Sequence, residues 1–175
     1  MKPTYAVTSG LLIATTAGLL IAQSPPAETS TEIGGKKISI KYSAPSMRGR
    51  QIFGAGGVVS KDETYPVWRA GANAATALHT DADLTIGNLN LPKGDYTLYV
   101  LVDPTPWKLI VNKQTGQAGT EYHPDRDLGR VPMTVTKPAK PIETYKITLA
   151  STGGNKGKLT LEWENVVASV DLTAK

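Results

Sequence analysis

The sequence predicts an all-β protein: an antiparallel β-sandwich of jelly-roll type, with eight or nine strands and little helix. Three observations predict it. Apolar residues recur at every second position in several short runs, the period of a strand with one wet face. Turn-forming residues separate those runs at regular intervals, as hairpins require. No apolar pattern keeps a helical period over three turns.

Taken in order, the chain opens with a targeting segment. Residues 1–22 read as a secretory signal peptide: Lys2 is the positive end, and Leu11-Leu12-Ile13-Ala14 through Leu19-Leu20-Ile21-Ala22 is the apolar stretch. Polar Gln23-Ser24-Pro25-Pro26 ends the run, and cleavage after Ala22 leaves a small residue at the cut. An uncleaved anchor is the competing reading, but Ala6–Ala22 is at the short limit for a bilayer and carries Thr8, Ser9, Thr15 and Thr16. The mature protein is therefore expected to be periplasmic or extracellular, with no stable membrane anchor after cleavage. Residues 23–35 read as a flexible spacer, because Pro, Ser, Thr, Glu and Gly dominate. Residues 36–175 then form a single domain.

Within that domain Ile38, Ile40 and Tyr42 alternate with Lys37, Ser39 and Lys41. Ala70–Leu78 reads as strand, with a short Ala-rich helix as the alternative. Tyr96, Leu98, Val100 and Val102 alternate with Thr97, Tyr99 and Leu101, so a central strand covered on both faces is expected there. Trp107–Val111, Val131–Thr136, Thr144–Leu149, Lys158–Glu164 and Val166–Leu172 supply further strands. Pro92-Lys93-Gly94-Asp95 is a turn, and Ser151–Gly157 reads as a long polar loop between two strands.

Composition narrows the function. There is no Cys, which excludes disulfides, thiolate metal sites, a Cys nucleophile and a lipid-bearing Cys. The net charge is +4, or +3 once Lys2 is removed, and it is spread along the chain. A nucleic-acid partner is not expected, since no concentrated basic stripe with stacking aromatics is present.

One series of motifs is distinctive. Ser43-Ala-Pro-Ser-Met-Arg48-Gly49-Arg50-Gln-Ile-Phe53-Gly54 is followed by Val67-Trp68-Arg69-Ala-Gly71-Ala-Asn73-Ala-Ala-Thr76, then Leu91–Leu98 and Trp107–Lys113. In kind and order these resemble the bacterial secreted family catalogued as domain of unknown function 2911, over about residues 33–172. The resemblance implies a secreted, β-rich domain and no known activity. Two departures matter. The family often has Glu where Ala74 stands, and commonly Gln-Trp-Gly where this chain reads Gln117-Ala118-Gly119. Either part of a ligand site is altered here, or both positions are structural.

Three constellations carry candidate chemistry. Arg48, Arg50 and Arg69, three of five Arg, lie within 22 residues beside Gly-rich turns. A guanidinium offers a planar fork of donors that matches carboxylate or phosphate. With Asn73 as a further polar group and Trp68 as an apolar wall, they form the candidate binding site; loop-tying Arg and a core Trp are the competing reading. His79, Asp81 and Asp83, and likewise His123, Asp125 and Asp127, repeat a His-x-Asp-x-Asp spacing that would suit a metal, although solvated turns account for it as well. No cofactor is expected. For catalysis, no Gly-x-Ser-x-Gly occurs, Gly153–Leu159 lacks phosphate-loop spacing, and Glu162 with Glu164 is the one carboxylate pair to weigh. The expected function is thus a non-catalytic module binding a small polar or anionic ligand. The alternative is a secreted hydrolase acting on carbohydrate or another polar polymer.

Overall fold

The computed structural model describes residues 23–175, so the expected signal peptide lies outside the described residues. Its strands are β1 (Pro26–Ile33), β2 (Lys36–Ser43), β3 (Val67–Trp68), β4 (Thr76–Thr80), β5 (Leu84–Ile86), β6 (Leu89–Leu91), β7 (Gly94–Leu101), β8 (Lys108–Asn112), β9 (Asp127–Pro132), β10 (Thr134–Thr136), β11 (Ile142–Gly153), β12 (Lys156–Glu164) and β13 (Val166–Ala174). They form two antiparallel sheets. One runs β1-β2-β4-β7-β8-β9 with β3 on the end of β7; the other runs β11-β12-β13-β5-β6 with β10 on β13. The all-β sandwich is as expected. Thirteen strands replace eight or nine among the described residues, because β3, β5, β6 and β10 are only two or three residues long and too short to show alternation.

The expected spacer is corrected. Residues 26–33 pair one for one with β2, from Pro26 opposite Ser43 to Ile33 opposite Lys36. Linker-like composition hid an edge strand in which Ala27, Thr29, Thr31 and Ile33 alternate inward. Edge strands tolerate Pro and charge, since one side of the ladder faces solvent. Gly34 and Gly35, at φ 61 and 72, make the tight turn to β2, which needs positive φ at both positions. The expected 151–157 loop is likewise mostly strand: Ser151 pairs with Gly157 and Gly153 with Lys156, leaving Gly154-Asn155 as the turn. Ala70–Leu78 resolves into a turn followed by the start of β4, with no helix.

β7 is the doubly covered strand. Tyr96, Leu98 and Val100 enter the main core, while Tyr99 packs with Val67 and Ile110 in a small cluster on the opposite face. At one end of the main core sits an aromatic group. Trp68 stacks on Trp163 with centroids 5.9 Å apart, Tyr145 meets Trp68 edge-on at 5.0 Å, and Phe53 meets Trp68 at 5.3 Å. Offset and edge-on pairs of this kind add about 0.5–1.5 kcal/mol each beyond burial.

The connection from β2 to β4 crosses this end. Residues 45–47 lie along β11: Met47 N–H donates to Glu143 O at 2.8 Å, and Tyr145 N–H to Pro45 O at 2.9 Å. Beyond them, Ile52 and Phe53 donate their N–H groups to the two carboxylate oxygens of Glu164, at 2.9 and 3.2 Å. That buried carboxylate pins residues 50–62 over the aromatic end.

Candidate functional site

The pinned segment and the β3–β4 turn enclose a shallow pocket of about 270 Å³. Arg50, Trp68, Arg69 and Asn73 all line it, joined by Asp62 and Trp163. Four of the five predicted residues therefore converge. Arg48 does not: it sits at φ 51 on the exposed loop, with its backbone N–H on Glu143 Oε1 at 2.9 Å.

Each remaining residue is committed in part. Arg50 donates Nε–H to Met47 O at 2.9 Å and Nη2–H to Ser46 O at 2.8 Å, so it ties its own turn. Trp68 is 2% exposed and belongs to the core; only its edge borders the pocket. Arg69 donates from Nη2 to Asp62 Oδ2 at 2.6 Å. Among the described residues its Nε and Nη1 donors form no hydrogen bond. Asn73 Nδ2–H reaches Ser24 O at 3.3 Å.

The backbone around this wall is unusual. Ala70 and Asn73 adopt φ 50 and 59, a left-handed conformation that non-glycine residues enter at a cost and that clusters at functional sites. Gly119 closes the arrangement from outside. Its N–H donates to Asn73 O at 3.0 Å, and a Cβ there would lie 2.5 Å from Arg69 Cδ. Glycine is required for that approach.

Sequence reasoning missed Asp62, Trp163 and Gly119 as neighbours of Arg69. No spacing marks Asp62, and Trp163 arrives from the far sheet, so only the fold brings them in. Asp62 is the one acidic residue lining the pocket, and its carboxylate is already bonded to Arg69. The arrangement can receive an anion on its remaining guanidinium donors. It lacks the second carboxylate that glycoside hydrolysis uses.

The other constellations separate. His79 Nδ1 bonds Asp95 Oδ1 at 2.8 Å and Nε2 bonds Asp81 Oδ1 at 3.1 Å. The Asp95 bond, then the Asp81 bond, raises the imidazole above its ordinary pKa. Asp83 turns away and accepts the Lys93 N–H at 2.8 Å. In the second triplet His123 lies 3.6 Å from Glu121, Asp125 pairs with Arg126, and Asp127 binds Asn112, Tyr122 and Arg130. No cluster of three or more metal-ligating residues forms among the described residues. Glu162 and Glu164 do not share an outer face: Glu164, at φ 51, turns inward to its two amides.

A family model described as "Protein of unknown function (DUF2911)" matches residues 24–172. The chain belongs to the DUF2911 family. The match takes in β1, which agrees with that strand being part of the domain rather than a spacer. No curated protein and no solved structure matches. In this DUF2911 member the Trp68-Arg69 and Gly71-Ala72-Asn73 motifs meet in one pocket, and Trp107–Lys113 supplies the β8 ladder beside β7.

Proposed function

We propose that this DUF2911 protein is an exported, non-catalytic domain that binds a small anion in the Arg50–Arg69–Asn73 pocket. One observation carries the reading: two guanidinium groups and a left-handed Asn line a single open pocket whose one acid, Asp62, holds only part of Arg69. A guanidinium fork suits carboxylate, phosphate or sulfate, and the bond is charge-assisted. A volume of about 270 Å³ is at the small end for ligand sites, which favours a compact ion. The proposed export rests on Lys2 and the apolar stretch that ends at Ala22. The hydrolase alternative would need a second carboxylate in this pocket, where Asp62 is the one acid among the lining residues.

The test is a thermal-shift and calorimetric titration of residues 23–175 with phosphate, sulfate, citrate and glucuronate. Stabilisation by at least one anion, abolished in Arg69→Ala and weakened in Arg50→Ala, is expected. No anion effect, or one that both variants retain, would overturn the proposal.

A further inference from the structure

A second cleft, of about 420 Å³, is lined in part by Phe53, Val59 and Ser60 of the segment that Glu164 pins. Its floor is apolar: Phe53 and Trp107 meet edge-on with centroids 4.9 Å apart, beside Val59 and Val102. Its rim is different in kind. Tyr65, 41% exposed, is the one exposed aromatic side chain among the described residues. Its hydroxyl donates to Asp103 Oδ2 at 2.8 Å, which fixes the ring at the cleft mouth. Asp103 keeps Oδ1 without a hydrogen bond among the described residues, and Thr105 shares the lining.

We propose that this cleft binds a neutral pyranose ring, its apolar C–H face on the aromatic surface and its hydroxyls on Asp103 and Thr105. An aromatic face covers the C–H side of a sugar, and a few fixed polar groups orient its hydroxyls. A purely apolar ligand would strip water from the Asp103 carboxylate without replacing its hydrogen bonds. An anion would be repelled by that carboxylate. Fixing Tyr65 in advance lowers the ordering cost of binding. The site shares only Val59 with the Arg69 pocket and uses none of its cations.

Saturation-transfer NMR tests it, with residues 23–175 and millimolar methyl β-glucoside, methyl α-mannoside, cellobiose and chitobiose. Transfer to the apolar-face protons of at least one sugar is expected. Tyr65→Ala and Asp103→Asn should each weaken that binding about tenfold, while Lys137→Ala, at an exposed position that lines neither cleft, leaves it unchanged. Tyr65 is exposed, so its removal should leave the fold intact, which circular dichroism verifies. Silence from every sugar would overturn the proposal. So would transfer that neither rim variant reduces, or binding of tetramethylammonium with the sugars silent.

Discussion

Ala74 faces Ala118 across an isolated antiparallel bridge. Ala75 N–H donates to Gln117 O at 3.2 Å on one side, and Gly119 N–H to Asn73 O at 3.0 Å on the other. These are the two positions where the family resemblance leads one to expect Glu and Trp. They are 44 residues apart in sequence and form one place in the fold, next to Asn73 on the wall of the Arg69 pocket. The two departures are therefore a single local change.

Reintroducing those residues tests that relationship. Ala74 and Ala118 are exposed, so Ala74→Glu and Ala118→Trp alone should each change stability by under about 0.5 kcal/mol. Together they should couple by roughly 0.5–1 kcal/mol, as side chains in contact do. A double-mutant cycle in urea measures this; strict additivity would show that the two side chains do not meet.

Asp62 and Arg69 should respond in opposite directions to an anion. Asp62→Asn releases the guanidinium, so it should strengthen anion binding while lowering stability by about 1 kcal/mol. The pair is only part-buried and partly screened. Arg69→Ala should lose both binding and more stability, roughly 2 kcal/mol, because the Asp62 carboxylate is left largely buried without its partner. Anion titration of both variants beside urea unfolding decides it. Equal loss of binding in the two would contradict a competitive Asp62.

Glu164 is the anchor of the segment that lines both clefts. Glu164→Ala leaves the Ile52 and Phe53 amides without acceptors and should cost about 2–4 kcal/mol. Glu164→Gln keeps one oxygen and should fall between. Hydrogen exchange at the Ile52 amide, protected in the parent and exposed in Glu164→Ala, provides the local readout.

Gly119→Ala should cost about 1–3 kcal/mol, as overpacking does. The added Cβ would lie 2.5 Å from Arg69 Cδ and 2.7 Å from the Asn73 backbone oxygen, which cannot swing aside. Anion binding should weaken with it. Unchanged melting of this variant would show that the loop holding Gly119 has room to move.

His79 makes stability depend on pH. Its folded pKa is raised by Asp95 first and Asp81 second, so the imidazolium is favoured in the native state. That contribution is complete below the unfolded value of about 6.5 and is lost as pH rises through the folded value. The imidazole C2 proton, followed by NMR, should titrate above about 6.5 and shift downward in Asp95→Asn. A midpoint at or below the ordinary value would refute the double clamp.

Much of the fold was legible because strand patterning is local. Tyr96–Val102 and Lys158–Glu164 alternate plainly, and both are strands where the alternation places them. Pro26–Ile33 was illegible for the opposite reason: an edge strand half in water has the composition of a linker. For the pocket, the Arg-rich motifs pointed to Arg50, Arg69, Trp68 and Asn73. Nothing local showed that Trp68 is core or that Arg48 stands outside.

By itself, then, the sequence determined an all-β DUF2911 domain and the motifs that carry its Arg and Asn side chains. Both depend on short-range periodicity and on residue order along the chain. Only the tertiary structure decided what those side chains touch. Glu164 reaches Ile52 across 112 residues, and the Ser46–Thr144 bond spans 98. Such pairings follow from how two sheets close over a shared core, a condition that no single segment encodes.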